Sequence, residues 1–72
     1  MEIGNVIREF NKRGEVIFEG LILKIDEEKN SVYLKIKADN EDYFTYTEDG
    51  SVAFGLNYMK KCLERDDHVL LK

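Results

Sequence analysis

The sequence lacks several residue types on which common functional sites depend. It contains no proline and no tryptophan, one cysteine, Cys62, and one histidine, His68. A single cysteine excludes an internal disulfide and a four-cysteine zinc site, and a single histidine excludes a multi-histidine metal centre. The longest apolar run, 21–23, is far below the ~18 residues that a membrane span needs. We therefore expect no bound metal and no membrane insertion.

Signals for export and for catalysis are missing as well. Residues 1–10 show neither a positively charged start nor an unbroken apolar stretch, so we expect no secretory signal and a cytoplasmic location. Without a glycine-rich phosphate loop, a Cys–His pair or a Ser-centred elbow, the chain is predicted not to be an enzyme and to need no cofactor. Cys62 is interpreted as a structural thiol. The adjacent residues Asp66, Asp67 and His68 are not expected to converge on a metal ion.

Length and charge restrict the remaining possibilities. A chain of 72 residues forms one small domain, 1–72, with a thin core. Fifteen acidic residues against eleven Lys and Arg give a net charge of −4. This balance argues against direct binding to nucleic acid or anionic lipid, since both require basic patches. It favours a basic protein partner, or simply solubility.

Hydrophobic spacing predicts a helix at the N-terminus followed by a sheet. A helical stripe predicts a helix over 3–13, which Gly14 would end. The members of the stripe are Ile3, Val6, Ile7 and Phe10. A strand over 15–26 is apolar on both faces and is interrupted at Gly20, where we expect a bulge or bend. Alternation predicts a second strand over 31–39, and β-forming residues predict a third over 43–47.

The second half of the chain predicts another helix. Ser51 is suited to its N-cap, and a second helical stripe follows, although Gly55 weakens the first turn. The stripe consists of Val52, Leu56, Met59 and Leu63. The tail 68–71 could pair as an edge strand or pack on the core. The predicted fold class is therefore α+β: an N-terminal helix, a three-stranded antiparallel β-meander, a C-terminal helix and a short tail. Seven residues are predicted to be buried: Ile7, Phe10, Leu23, Leu34, Ile36, Leu56 and Leu63.

The acidic residues are unevenly distributed, which is the most informative feature for function. No Lys or Arg occurs between Lys37 and Lys60, whereas five acidic residues do. A three-stranded meander would place the turns 39–42 and 48–51 at opposite ends of the sheet. The first turn lacks the glycine and spacing of an EF-hand loop, so calcium is not expected. The candidate partner-binding residues are Asp39, Asn40, Glu41, Asp42, Glu48 and Asp49; the alternative is that these turns are only solvated.

The opening residues 1–3 and residues 7–9 of the predicted first helix resemble the start of small phage anti-CRISPR proteins of the Cas9-inhibiting type, and the predicted layout resembles theirs as well. Members of that family are acidic DNA mimics that fill the groove where an RNA-guided nuclease reads DNA. The resemblance implies that Asp39, Asn40, Glu41 and Asp42 form the acidic turn. It also implies a CRISPR effector nuclease as partner and the host cytoplasm as location. The family's acidic C-terminal segment has a faint counterpart in Glu64, Asp66 and Asp67.

A second pattern resembles the first motif of Sm-like RNA-binding proteins. It consists of Phe18-Glu19-Gly20, Ile22, Asp26 and Asn30. Three observations count against this pattern: the preceding strand is not predicted, no Arg-Gly second motif follows, and the acidic charge opposes RNA binding. The shared spacing is instead attributed to a bent strand that enters a hairpin.

Two hypotheses for function remain open. In the first, the chain is a non-enzymatic inhibitor or interaction module whose acidic turns bind a basic protein surface. In the second, it is a small self-associating structural or accessory protein, a homodimer held by the strand 16–25 and the apolar tail. Salt-sensitive partner binding would favour the first, and salt-insensitive dimerisation would favour the second.

Overall fold

The computed structural model describes residues 1–39, 41–65 and 69–72. Their backbone forms five strands and one α-helix. In chain order these elements are β1 (Val6–Phe10), β2 (Val16–Asp26), β3 (Ser31–Ala38), β4 (Val52–Gly55), α1 (Leu56–Arg65) and β5 (Val69–Leu71). The predicted fold class is therefore wrong in its first half, because four antiparallel strands precede the helix and none of residues 1–39 is helical.

All five strands belong to one sheet in the order β4-β3-β2-β1-β5, and every neighbouring pair is antiparallel. The central strand β2 pairs with β1 along one edge and with β3 along the other. Helix α1 connects the two outermost strands and packs on one face of the sheet. The apolar tail pairs as an edge strand, which was one of its two predicted arrangements.

The N-terminal helix predicted over 3–13 is replaced by β1. The four apolar residues of the proposed stripe do not share a side. Alternation along β1 directs Ile7 into the core and Val6 to the other face, and Ile3 lies in the turn before β1 and is exposed. Pairing of β1 with both β2 and β5 satisfies its backbone, which overrides the helical spacing. The strand whose absence counted against the Sm-like pattern is thus present, whereas no Arg-Gly pair follows residues 18–30 in the sequence.

The third strand predicted over 43–47 is also wrong. The chain forms a single 3-10 turn at Glu41–Tyr43 and then an irregular segment up to Ser51. β3 pairs with β2 along one edge and with β4 along the other. The residues of β4 are ones that the sequence pattern assigned to the second helix. Val52 and Leu56 were both assigned to the predicted helical stripe, and both are buried. A strand followed directly by a helix can place these two residues on the same side, so their spacing did not distinguish the two arrangements.

Helix α1 therefore begins at Leu56, and Ser51 is not its N-cap. The cap comes from Asn30 in the β2–β3 turn, far away in the sequence. The main-chain oxygen of Asn30 accepts the Leu56 N–H at 2.8 Å, and its side-chain oxygen accepts the Asn57 N–H at 3.0 Å. Asn30 has a positive φ of 50°, which asparagine tolerates better than most residues. One side chain thus ties the hairpin to the start of the helix.

The core lies between α1 and the inner face of the sheet. Its buried hydrophobic residues are Ile7, Ile22, Val32, Leu34, Val52, Leu56 and Met59. The predictions for Ile7, Leu34 and Leu56 are confirmed, whereas Phe10, Ile36 and Leu63 are only half-buried. Leu23 is 41% exposed, because a bulge between Ile22 and Lys24 removes it from the regular alternation.

Gly20 is needed for close packing rather than for the bulge, which lies three residues further on. A Cβ atom at Gly20 would lie 2.8 Å from Cδ1 of Leu34, inside van der Waals contact. The absence of a side chain lets Leu34 lie across β2, where it is fully buried.

Replacing Leu34 by Ala should lower the free energy of unfolding by about 2–5 kcal/mol, because the side chain is fully buried and its removal leaves a cavity. Leu21→Ala is the matched control, since Leu21 lies on the opposite face and is 37% exposed. Urea unfolding followed by circular dichroism measures both changes. Equal midpoints for the two variants would show that β3 does not face the core as described.

Replacing Asn30 by Gly should destabilise the protein by a few tenths of a kcal/mol, because Gly keeps the positive φ but lacks the oxygen that accepts the Asn57 N–H. Asn30→Asp should recover stability, since a carboxylate accepts the same hydrogen bond and suits a helix N-terminus. Thermal unfolding compares the two. An Asp variant that is no more stable than the Gly variant would contradict this cap.

Candidate functional site

The two predicted acidic turns belong to one loop. Because no strand separates them, residues 39–51 form the single connection between β3 and β4 at one end of the sheet. The placement of the two turns at opposite ends is therefore wrong. We call residues 39–51 the acidic loop, since it contains five carboxylates and no Lys or Arg. Asn40, the sixth candidate residue, lies outside the described residues.

The first half of the acidic loop presents its carboxylates to solvent. Asp39, Glu41 and Asp42 are all exposed, and the last two lie in the 3-10 turn. The Tyr46 hydroxyl donates to the main-chain oxygen of Glu41 at 3.1 Å and holds this turn in place. Partial desolvation, followed by the charges of Glu41 and Asp42, raises the pKa of the Tyr46 phenol. The hydroxyl therefore stays protonated and remains a donor at neutral pH.

An aromatic contact fixes the acidic loop to the sheet. The Phe44 ring packs against Phe18 and Phe54, with centroid separations of 5.9 and 6.0 Å. Such tilted and edge-to-face pairs are favourable beyond the area they bury. The neighbouring Tyr43 ring meets the Phe44 ring edge-to-face at 5.8 Å but makes no aromatic pair with the described strands of the sheet, and Tyr43 is 82% exposed. The loop thus has one anchored ring and one exposed ring beside the carboxylates.

The second half of the acidic loop uses one of its candidate residues internally. Asp49 accepts hydrogen bonds from the Thr47 hydroxyl, from the Ser51 hydroxyl at 2.7 Å and from the Ser51 N–H at 3.1 Å. Gly50, with a φ of 83°, permits the tight turn between them. Asp49 therefore organises the turn, whereas Glu48 is exposed. Of the candidate residues, Asp39, Glu41, Asp42 and Glu48 remain available to a partner.

In the part of the chain that the structure describes, no carboxylate of the acidic loop forms an ion pair. Within residues 1–39, 41–65 and 69–72, the ion pairs are Arg8–Glu19 at 2.8 Å and Arg13–Glu15 at 3.9 Å. Neither includes a loop residue. The negative charge of the loop is therefore directed to solvent.

A second charged surface lies on the outer face of the sheet, and the sequence reasoning missed it. Strand register places three cross-strand sets there: Arg8, Glu19 and Lys37; Val6, Leu21 and Lys35; and Lys24, Tyr33 and Ala53. We call these nine residues the basic face, since it holds four cations and one carboxylate. Lys24 Nζ lies 5.3 Å from the centre of the Tyr33 ring. The alternating lysines in 31–39 are a sequence signal for a basic sheet face. The net charge of −4 argued against any basic surface, so this signal was not used.

An apolar pocket of about 190 Å³ lies between α1 and the inner face of the sheet. It is lined mainly by Phe18, Phe44, Phe54 and Met59, with Glu9 and Cys62 beside them. Cys62 is a half-buried free thiol, and a hydrogen bond between its side chain and Tyr58, followed by its charge, raises the pKa of the Tyr58 phenol.

Other kinds of site find no support in the described residues. They bring no three His, Cys, Asp or Glu side chains together as metal ligands, and none of their helices is long and apolar enough to cross a membrane. The sequence Asp66–His68, considered above for a metal, lies outside the described residues. The chain matches no protein-family model, no curated protein and no solved structure.

The hydrogen bonds to Asp49 lower its pKa to about 2, with those from Thr47 and Ser51 as the main causes. A lowered pKa means that the ionised carboxylate stabilises the folded turn above pH ~4, and that this contribution is lost as the pH falls toward 2. Carboxyl NMR titration should show the low value, and Ser51→Ala should raise it. An unchanged Asp49 titration in Ser51→Ala would contradict the role assigned to these bonds.

Proposed function

We propose that this chain is a non-enzymatic interaction module that binds a basic surface of another protein through its acidic loop. One observation carries the proposal. Five carboxylates lie in a single loop, and within residues 1–39, 41–65 and 69–72 no Lys or Arg pairs with them. Exposed carboxylates around an exposed tyrosine combine long-range attraction with a side chain that is common at protein interfaces.

The chemistry of the acidic loop suits a groove that normally holds phosphates. Carboxylates at the end of a sheet can meet the Arg and Lys side chains that otherwise contact a nucleic-acid backbone. A nucleic-acid-binding defence nuclease of a host cell, such as a CRISPR effector, is the partner class we propose, with the cytoplasm as location. The predicted N-terminal helix supported the resemblance to Cas9 inhibitors and is absent, so this partner class rests on the loop charge.

The proposal is tested by competition rather than by capture alone. The purified chain is immobilised and offered a purified guide-loaded Cas9-type nuclease, with and without duplex DNA that the nuclease recognises. We expect binding that falls with added salt and that the DNA displaces, because both ligands would occupy one basic groove. Binding that persists with saturating DNA would contradict mimicry. Absence of binding would remove this partner class.

Reversing Asp39, Glu41 and Asp42 to Lys together should weaken partner binding by more than about a hundredfold, because three attractions become repulsions. The free energy of unfolding should change by less than about 1 kcal/mol per site, since these side chains are exposed. Titration calorimetry and urea unfolding measure the two effects on the same samples.

The control for this variant carries the same change of charge elsewhere. Glu2, Glu27 and Glu28 are exposed carboxylates outside the acidic loop, and their reversal to Lys alters the net charge equally. We expect the control to bind nearly as the wild type does. Equal weakening by both variants would show that net charge, and not the loop, determines binding.

A further inference from the structure

The basic face is an uncovered surface of the molecule. Helix α1 packs on the opposite side, where Leu56 and Met59 join the buried cluster with Ile7 and Leu34. Leu21 on the basic face and Leu23 at the bulge beside it are 37% and 41% exposed. A sheet face that combines exposed leucines with three exposed lysines is suited to an anionic and partly apolar partner.

The acidic loop of another copy has this composition. It presents Glu41 and Asp42 next to Tyr43, which is the complement of lysines next to leucines. The two surfaces also adjoin each other within one molecule, since only Ala38 separates Lys37 from Asp39. A surface cleft of about 340 Å³ lies at this junction, lined by Val16, Ile17, Glu19, Lys37, Ala38, Asp39 and Glu41.

We propose that the basic face binds the acidic loop of a second copy of this chain in a reciprocal dimer. Adjacent patches of opposite charge are self-complementary under a two-fold rotation, because each loop then meets the partner's face. The exposed Val16 and half-buried Ile17 of the junction cleft lie near the axis of such a pair. The inference rests on the accessibility of the acidic loop that the proposed function also uses.

A second copy fits the basic face better than a nucleic acid does. Phosphates approaching Lys37 would meet the carboxylates of Asp39 and Glu41 at the same end of the sheet. In the reciprocal dimer, the two-fold rotation directs each set of carboxylates to the other subunit's lysines. Attraction between the copies is then screened by salt, unlike a dimer held by the apolar tail, which β5 engages in the sheet.

A charge exchange tests the reciprocal contact. One variant carries Asp39→Lys, Glu41→Lys and Asp42→Lys; the other carries Lys35→Glu and Lys37→Glu. Sedimentation equilibrium at micromolar concentration and low ionic strength should give a dimer for the wild type and a monomer for each variant. A mixture of the two variants should again give a dimer, because both contacts regain opposite charges. At about 1 M salt, where the Debye length is about 3 Å, all samples should be monomeric.

A control separates loss of the loop carboxylates from a change of net charge. The Glu2→Lys, Glu27→Lys, Glu28→Lys variant changes the net charge as much as the loop variant does but keeps both surfaces, so it should dimerise as the wild type does. Circular dichroism verifies that each variant is folded. If the Lys35→Glu, Lys37→Glu variant is unfolded, a Lys35→Gln, Lys37→Gln variant replaces it. The glutamine variant should dimerise at least about tenfold more weakly than the wild type.

Several outcomes would overturn the proposal. These are a monomeric wild type at low salt, a dimer that persists at high salt, a charge-exchange mixture that remains monomeric, and loss of the dimer in the Glu2→Lys, Glu27→Lys, Glu28→Lys control. A monomer whose lysines instead bind a poly-dT oligonucleotide would assign the basic face to nucleic acid. The proposed function can be tested independently of the dimer. The Lys35→Glu, Lys37→Glu variant keeps the acidic loop intact, so it should still bind a nuclease partner even though it does not dimerise.

Discussion

Pairing of strand β2 along both of its edges is the constraint from which the rest of the structure follows. Residues 18–21 are paired with β1 on one side and with β3 on the other, so their backbone is fixed in register with both neighbours. Register fixes the face of each side chain, because successive residues point to opposite sides of a sheet. Gly20 belongs to this stretch, and its missing side chain admits Leu34 to the core.

The same register sorts the charges of the molecule. Apolar residues of β1, β2 and β3 meet beneath α1, while Arg8, Lys24, Lys35 and Lys37 come together on the other side. The acidic residues between Lys37 and Lys60 cannot join the sheet and gather in the loop at its end. A chain with a net charge of −4 thus carries a basic surface and an acidic surface next to each other. Net charge alone describes neither of them.

Parts of this fold could be predicted from the sequence, and the reasons differ for each element. Strands β2 and β3 follow from their uninterrupted or alternating apolar residues and from the polar break between them. The N-terminal stripe was misread because Val6, Ile7 and Phe10 fit a helical period, while the partners that make them a strand lie at 16–21 and 69–71. Long-range pairing of this kind leaves no local signal.

The candidate site was predicted in its composition but not in its geometry. The carboxylates are identifiable in the sequence because no Lys or Arg occurs between Lys37 and Lys60. They lie in one loop only because residues 43–47 do not form a strand, which the sequence did not indicate. Tyr43 and Phe44 have similar β-propensity, so the sequence does not show which ring packs on the sheet. The contact of Phe44 with Phe18 makes Phe44 the anchored ring and leaves Tyr43 exposed. The helix cap at Asn30 lies 27 residues from Asn57, beyond the reach of any capping pattern.

Separation of charge by register is the central claim, and local electrostatic potential tests it most directly. Paramagnetic probes of equal size and opposite charge broaden amide NMR signals according to the potential near each residue. The account predicts that an anionic probe broadens Lys35 and Lys37 more than a cationic probe does, and that Glu41 and Asp42 show the reverse. Preference for the cationic probe at all four residues would contradict it, since the chain would then carry one continuous negative surface.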